Sequence, residues 1–383
     1  MNNTLDDKYL GLLDDIMSRG KVKKDRTGVG TVSLFSHEMR VDLSEGLSLL
    51  TTKYVHHPAV IHELLWFLMG GTDIKYLVDN NVRIWNEWPF KRYCNTPLEK
   101  LSDTDCIGDA SRVRRHFTME EYIQAIRNDG DFAKRHGQVG KVYGSQWINW
   151  TWPVKNAVFE GDTGALSFGT WRIDGYNQIA KLVETLKTNP DSRRMIVTAW
   201  NPPEMDDSAL PCCHYGFQCY TSELELDVRN KLACEKLGID RTALHNRFVE
   251  WIGQMDYMAS REHIFYDELG IPKRSLSLKW IQRSTDVFLG LPFDIASYSI
   301  LTHMLCKQLN FLPNELIVSS ADTHIYLNHF DQVKEQLSRR SSPYSLPALI
   351  LKDGVDDVQN YRFDDVQVVG YICHPAIKAP IAV

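Results

Sequence analysis

Residues 215–221 and 276–283 both alternate between apolar and polar side chains, the period of half-buried strands, and read as hairpin partners. A hairpin needs only a few connecting residues, yet a largely helical, charged segment of about 50 residues lies between these two. That stretch, near 225–274, is therefore read as an insertion into an α+β domain. Residues 90–140 and 150–175 are mixed and polar and read as two further surface elaborations of the same domain, which spans 1–383.

The other elements follow the same logic. Residues 5–19 are periodic like a helix, and the break at Lys23-Lys-Asp-Arg-Thr-Gly-Val-Gly30 precedes a strand-like run over 31–41, which leaves Arg26 on a loop. His57-Pro58 opens a segment, 59–69, that is apolar nearly all round except for His62 and Glu63, so it reads as a buried helix with an anomalous carboxylate. A helix over 178–187 ends in the turn Asn189-Pro-Asp-Ser-Arg-Arg194 before a strand over 195–200. Pro292 begins a long apolar helix to 310, followed by a strand over 315–320, a polar tip at 322–326 and an apolar tail, 375–383, with two prolines.

At 383 residues and 43% hydrophobic, the chain can bury a large core. A net charge of −6 excludes a broad basic surface, so no nucleic-acid partner is expected, although arginine clusters can still hold small phosphates. The polar, acidic start lacks the pattern of a signal peptide, and no 18-residue apolar run follows. A cytoplasmic protein without membrane contact is expected. Eight cysteines show neither a CxxC pair nor Cys/His zinc spacing, so reduced thiols and no metal are expected.

One cysteine stands apart. Cys213 is followed by His214, and three arginine sites (Arg26, Arg193-Arg194 and Arg283) lie at loops or strand ends. Guanidinium groups gathered around a phosphate would lower the pKa of a nearby thiol and make it a nucleophile; a buried core cysteine is the alternative. Glu63 is either a carboxylate paired with His62 or an arginine, or an acid/base group. Asp294 is either a helix N-cap or a site residue, and His324 and Tyr326 either end a strand or bind a ligand. Residue types and spacing thus suggest an enzyme with a cysteine nucleophile and a small anionic substrate.

Nine runs, in order, resemble the thymidylate synthase family: Asp25-Arg-Thr-Gly28, Ile61-His-Glu-Leu-Leu-Trp-Phe-Leu68, Ile84-Trp-Asn-Glu-Trp88, Val142-Tyr-Gly-Ser-Gln-Trp147, Asp191-Ser-Arg-Arg194, Cys213-His214, Gln282-Arg-Ser-Thr-Asp-Val-Phe-Leu-Gly-Leu-Pro-Phe293, Asp322-Thr-His-Ile-Tyr326 and Lys378-Ala-Pro-Ile-Ala-Val383. The resemblance implies a large twisted sheet packed against its copy in a homodimer, with helices on the other face. It implies methylenetetrahydrofolate as carbon donor and a pyrimidine nucleotide as acceptor. By the same resemblance, Cys213 attacks C6 of the base, with His214 beside it; Glu63 and Tyr143 move protons. Arg26, Arg283 and Ser284 hold the 5′-phosphate with Arg193 and Arg194 of the other subunit. Gln282 belongs to the nucleotide site, while His324 and Tyr326 bind the sugar 3′-hydroxyl. Asp286 binds the pterin; Trp85, Trp88, Leu289, Gly290 and Phe293 form the folate wall; and the tail ending at Val383 closes over it.

The chain departs from that family at Asp294, where asparagine donates to O4 of uracil and accepts from its N3 proton. Cytosine reverses both polarities, so a carboxylate there predicts dCMP rather than dUMP as substrate. The same aspartate occurs in the phage dCMP hydroxymethylases, which this chain resembles less overall. The product is then 5-methyl-dCMP or 5-hydroxymethyl-dCMP, with the intact tail and Trp85 favouring methyl; either would suit a virus that replaces its DNA cytosines. The alternatives are a thymidylate synthase that tolerates Asp294 and a catalytically silent homologue binding nucleotide or RNA. Cys212 and Asn86 also depart from the family, with no functional reading.

Overall fold

The structure, a computed structural model, describes residues 3–108, 114–159, 166–253 and 259–381. Its strands are β1 (Lys21–Lys23), β2 (Thr31–Asp42), β3 (Trp150–Phe159), β4 (Leu166–Tyr176), β5 (Ile196–Thr198), β6 (His214–Glu223), β7 (Arg274–Asp286), β8 (Leu312–Tyr326), β9 (Ala348–Leu351) and β10 (Val366–Val369). Six form the principal sheet in the order β1-β2-β8-β7-β6-β5, and β3–β4 and β9–β10 are separate antiparallel pairs. Within the principal sheet only β7 and β8 run parallel.

A parallel pair needs a crossover. The helix Leu291–Leu309 supplies it, with Pro292 in its first turn, where the missing N–H costs nothing, and Asn310 in the left-handed region at its end. Its residues from Ile295 to Thr302 are all buried, because the helix lies between the sheet and the helix His57–Leu68. The α+β class expected from the sequence is the observed one. Residues 215–221 and 276–283 do pair, with Cys219 opposite Leu278. Between them lie the helices Leu226–Leu237, Arg241–Ile252 and Ala259–Glu268, closed on a small core of their own that includes Ala233, Leu244 and Phe248.

Two expectations change. The polar tip at 322–326 is not a tip: β8 continues through it, bonded to β2 on one side and β7 on the other. Alternation fails there as a signal because Thr323, His324 and Ile325 are all buried. Residues 90–140 are more than a surface layer, since Tyr93, Tyr122 and Phe132 belong to the principal core.

The short helix Tyr143–Ile148 is pressed against the helix His57–Leu68, and Gly144 permits the approach. A Cβ there would lie 2.0 Å from the Phe67 carbonyl oxygen. The neighbouring Tyr143 is held at φ 35°, a conformation costing a non-glycine residue about 1–3 kcal/mol. Gly144→Ala should therefore lower unfolding free energy by about 1–3 kcal/mol or more. By contrast Gly11→Ala, within the helix Thr4–Arg19 and with nothing near its Cβ, should raise it by about 0.5–1 kcal/mol. Urea denaturation of both variants checks the pair; equal effects would contradict the packing account.

Candidate active site

Because β7 and β8 are parallel, their C-terminal ends meet at one edge of the fold, and the antiparallel neighbours β6 and β2 begin there. The register sets His214 opposite Gln282, Asp286 opposite His324, and Ser33 opposite His324. Sheet topology thus gathers Cys213-His214, Gln282 to Asp286, and His324 with Tyr326. The Arg26 loop, folded around Asp25, whose carboxylate accepts from Thr27 and from the Gly30 amide at 2.8 Å, precedes β2 at the same end. Arg26, Trp88, Lys91, Arg92 and Pro211 line an adjoining cleft of about 700 Å³.

Cys213 sits just before β6, at an irregularity in the β6–β7 register. Its N–H donates to the Tyr143 hydroxyl at 2.8 Å, and Arg283 donates to the carbonyls of Cys212 (2.9 Å) and Pro211 (2.8 Å), with Nη2 3.9 Å from the Cys213 sulfur. The thiol pKa in the single chain lies above its ordinary value. Burial pushes it up, and the opposing pulls of Arg283, Tyr143 and Arg26 do not prevail. Cys212, silent in the sequence, takes the Tyr143 N–H on its sulfur at 3.3 Å and so helps anchor the strained residue.

Two carboxyls in this region are partly buried. Glu63 does not pair with His62, which turns away to the Tyr76 hydroxyl (3.0 Å) and stacks on Phe363. Its partner is the Trp85 indole N–H at 2.7 Å, and burial still lifts its pKa to about 8. Asp294 is not an N-cap: it lies within the first turn of its helix, whose N-cap is Gly290, and accepts instead from Gln282 Nε2 at 2.9 Å. Burial raises it to about 7 against that hydrogen bond. His214, held neutral by burial near a pKa of about 3, bonds the Tyr298 hydroxyl at 2.8 Å and leaves Nε2 3.9 Å from Asp294 Oδ1.

Beyond them, Asp286 Oδ1 accepts from the N–H groups of Phe288 and Leu289, each at 3.0 Å, forming the turn that leads through Gly290 into the helix. Lys53 braces that turn: it donates to the Phe288 carbonyl and lies 3.7 Å over the Phe288 ring. Trp85 packs on Trp88 (5.6 Å), and Leu289 and Phe293 are partly buried on the principal core. His324 bonds Asp322 Oδ1 at 3.2 Å and packs edge-on against Tyr326. Ser284 lies opposite Asp322 in β8. Arg193 and Arg194 are exposed on the loop before β5. Val383 lies outside the described residues; the nearby tail is tied down where His329 Nε2 donates to the Pro380 carbonyl at 2.8 Å.

Sequence reasoning missed Trp280, Tyr298 and Lys53. Trp280 lies two residues before Gln282 on a strand and Tyr298 four after Asp294 on a helix, so each shares a face with a site residue. Lys53 carried no such signal. Among the described residues, no cluster of three or more His, Cys, Asp or Glu is placed to hold a metal, and no helix is long and apolar enough to cross a membrane.

Glu63 and Asp294 bind protons more tightly folded than unfolded, so their contribution to stability is full below the unfolded carboxyl range and is lost as pH rises through about 7 and 8. Ligand-free protein should thus lose stability between about pH 5 and about pH 8.5, and the double variant Glu63→Gln, Asp294→Asn should show a flatter dependence. Chemical denaturation across that range is the check; identical slopes would contradict the assignment.

The thymidylate synthase family model matches residues 7–238 and 255–383. A thymidylate synthase of Mycoplasma mobile is 38% identical over 377 residues, covering 98% of this chain and all of the relative. Those of Listeria innocua serovar 6a and Listeria monocytogenes serotype 4b are 36% identical, each covering 98% of this chain and 99% of the relative. Members of that family are generally dimeric and transfer a one-carbon unit from methylenetetrahydrofolate to C5 of a pyrimidine nucleotide. With the match spanning nearly the whole length and the strand ends converging on Cys213, the chain belongs to the thymidylate synthase family.

Proposed function

We propose that this chain transfers one carbon to C5 of dCMP through a covalent Cys213 adduct, giving 5-methyl-dCMP in preference to 5-hydroxymethyl-dCMP. The observation that carries the reading is Asp294: a partly buried carboxyl whose pKa is raised to about 7 and whose charge is felt at the Cys213 thiol. Asp294 Oδ1 receives no hydrogen bond among the described residues, so it is free to accept from the 4-amino group of cytosine. In its protonated form it can give N3 the proton that balances electron density arriving as sulfur adds to C6.

The other residues take supporting parts. Arg26, Arg283 and Ser284 hold the phosphate, and its arrival orders the guanidiniums that favour thiolate at Cys213. Gln282 and His214 position Asp294, while His324 and Tyr326 take the 3′-hydroxyl. Tyr143, whose hydroxyl already bonds the Cys213 N–H, assists removal of the C5 proton. Glu63, protonated at neutral pH by its burial, relays protons around the base. The folate wall fits its ligand in kind: Trp85, Trp88, Leu289, Gly290 and Phe293 offer apolar and aromatic surface, and Asp286 keeps Oδ2 clear of the backbone bonds that occupy Oδ1. When bound, the folate supplies the one-carbon unit and the reducing equivalent for a methyl product. Closure of the tail ending at Val383 over the folate, with Trp85 beside it, excludes water, which favours methyl over hydroxymethyl.

A second reading, dUMP as substrate, is favoured by the name thymidylate synthase carried by the relatives. A protonated Asp294 could also donate to O4 of uracil. Comparing kcat/KM for the two nucleotides, with mass analysis of products, separates the readings. We expect dCMP to lead by about tenfold or more at or above neutral pH and Asp294→Asn to reverse the order; a lead for dUMP would overturn the dCMP assignment.

Arg193 and Arg194 are proposed to complete the phosphate site of a second copy. In support, Ile196 and Tyr220, on the sheet face turned away from the helices, are 55% and 67% exposed in one chain. Mixing inactive Cys213→Ser protein with inactive Arg193→Ala, Arg194→Ala protein should restore up to about a quarter of wild-type activity, since random pairing puts both intact sets at one site in half the dimers. No restoration on subunit exchange would contradict a shared site.

A further inference from the structure

The Gln282 side chain lies between two partners. Its Oε1 accepts from the Trp280 indole N–H at 3.1 Å, and its Nε2 donates to Asp294 Oδ2 at 2.9 Å. An indole nitrogen has a proton to give and no lone pair to offer, whereas the two ends of an amide are nearly interchangeable in shape. Trp280 therefore decides which end of Gln282 faces Asp294. Trp280 is itself immobilised, fully buried and stacked on Tyr298 with ring centres 4.8 Å apart and planes within 7°.

We propose that Trp280 is a positioning residue for base recognition: its indole N–H orients Gln282 as a donor to Asp294 Oδ2, so that the titrating oxygen, Oδ1, is the one turned to the base. The inference rests on the reading that Asp294 contacts the pyrimidine. With the amide so oriented, a proton on Asp294 is directed to Oδ1, where it can pass to N3 of cytosine, and its loss leaves an acceptor there. With the amide reversed, Gln282 Oε1 would draw that proton to Oδ2, away from the base, and the carboxylate would lose a donor that stabilises it.

The ionisable groups around Asp294 are Glu63 on the helix His57–Leu68, Cys213 and His214 at the start of β6, Tyr143 beside Cys213, Asp286 at the end of β7, and Tyr298 on its own helix. None is replaced by changing Trp280, but Tyr298 stacks on it, so the variant that keeps the ring and removes only the N–H separates the indole donor from that packing.

The test is Trp280→Phe, which keeps an aromatic ring and removes the donor, assayed for kcat/KM with dCMP and with dUMP from about pH 5.5 to about pH 9. In the parent, the dCMP:dUMP ratio should rise with pH as Oδ1 changes from donor to acceptor. In the variant, the midpoint of that rise should move up by about one pH unit, a tenfold change in proton affinity, and kcat for dCMP should fall more than KM changes. Equal loss with both nucleotides and an unmoved midpoint would mean a packing role only and would overturn the proposal. If Trp280→Phe does not fold, site-specific replacement by 3-benzothienylalanine, with sulfur in place of the N–H, gives the same readout with the ring shape kept. A parent preference for dUMP at every pH would instead sink the dCMP reading, while the midpoint shift still reports on Trp280.

Discussion

The parallel pairing of β7 with β8 is the constraint from which the site follows. Antiparallel strands alone would send Asp286 and Tyr326 to opposite edges; one parallel pair brings them to the same edge. The crossover helix Leu291–Leu309 that the pairing requires then begins at that edge, with Asp294 in its first turn. Two carboxyls and a thiol, all partly buried, and a buried neutral imidazole are thereby brought together, and among the described residues the close cation is Arg283, near the sulfur. Each group is consequently held toward its uncharged form, which suits a site that shuttles protons and waits for a phosphate.

The consequences differ between the two acids. Glu63 is steadied by one indole N–H from Trp85, and Asp294 by one amide N–H whose direction is set by another indole, that of Trp280. Donor-only tryptophans are well suited to this task, because they favour a carboxylate slightly without neutralising it and cannot reverse. Burial remains the larger influence in both cases, so protonation near neutral pH is retained.

Much of this was legible in the chain. Residues 215–221 and 276–283 announced their pairing by period, and Glu63 was conspicuous as a carboxylate in an apolar helix. The role of Asp294 as something other than a cap was not, because a first-turn aspartate after proline looks the same in sequence whether it bonds its own backbone or a side chain on β7. The continuation of β8 through His324 was hidden since strands buried on both sides lose alternation. The state of the thiol in the chain alone was not legible for a physical reason: nearby arginines can be counted in a sequence, but desolvation, which here outweighs them, is a property of the folded surroundings. The pairing of Trp280 with Gln282 needed coordinates, since a strand period places two residues on one face without saying which atoms meet.

The central claim is that Asp294 and Cys213 act on one cytosine ring. Trapping tests it most directly: a 5-fluoropyrimidine nucleotide has no C5 proton to lose, so its adduct persists and can be weighed on the peptide that carries Cys213. With methylenetetrahydrofolate present, the account predicts a stable adduct from 5-fluoro-dCMP, with the cytosine amino group intact, forming faster than that from 5-fluoro-dUMP. Adduct from the uracil analogue alone would contradict it.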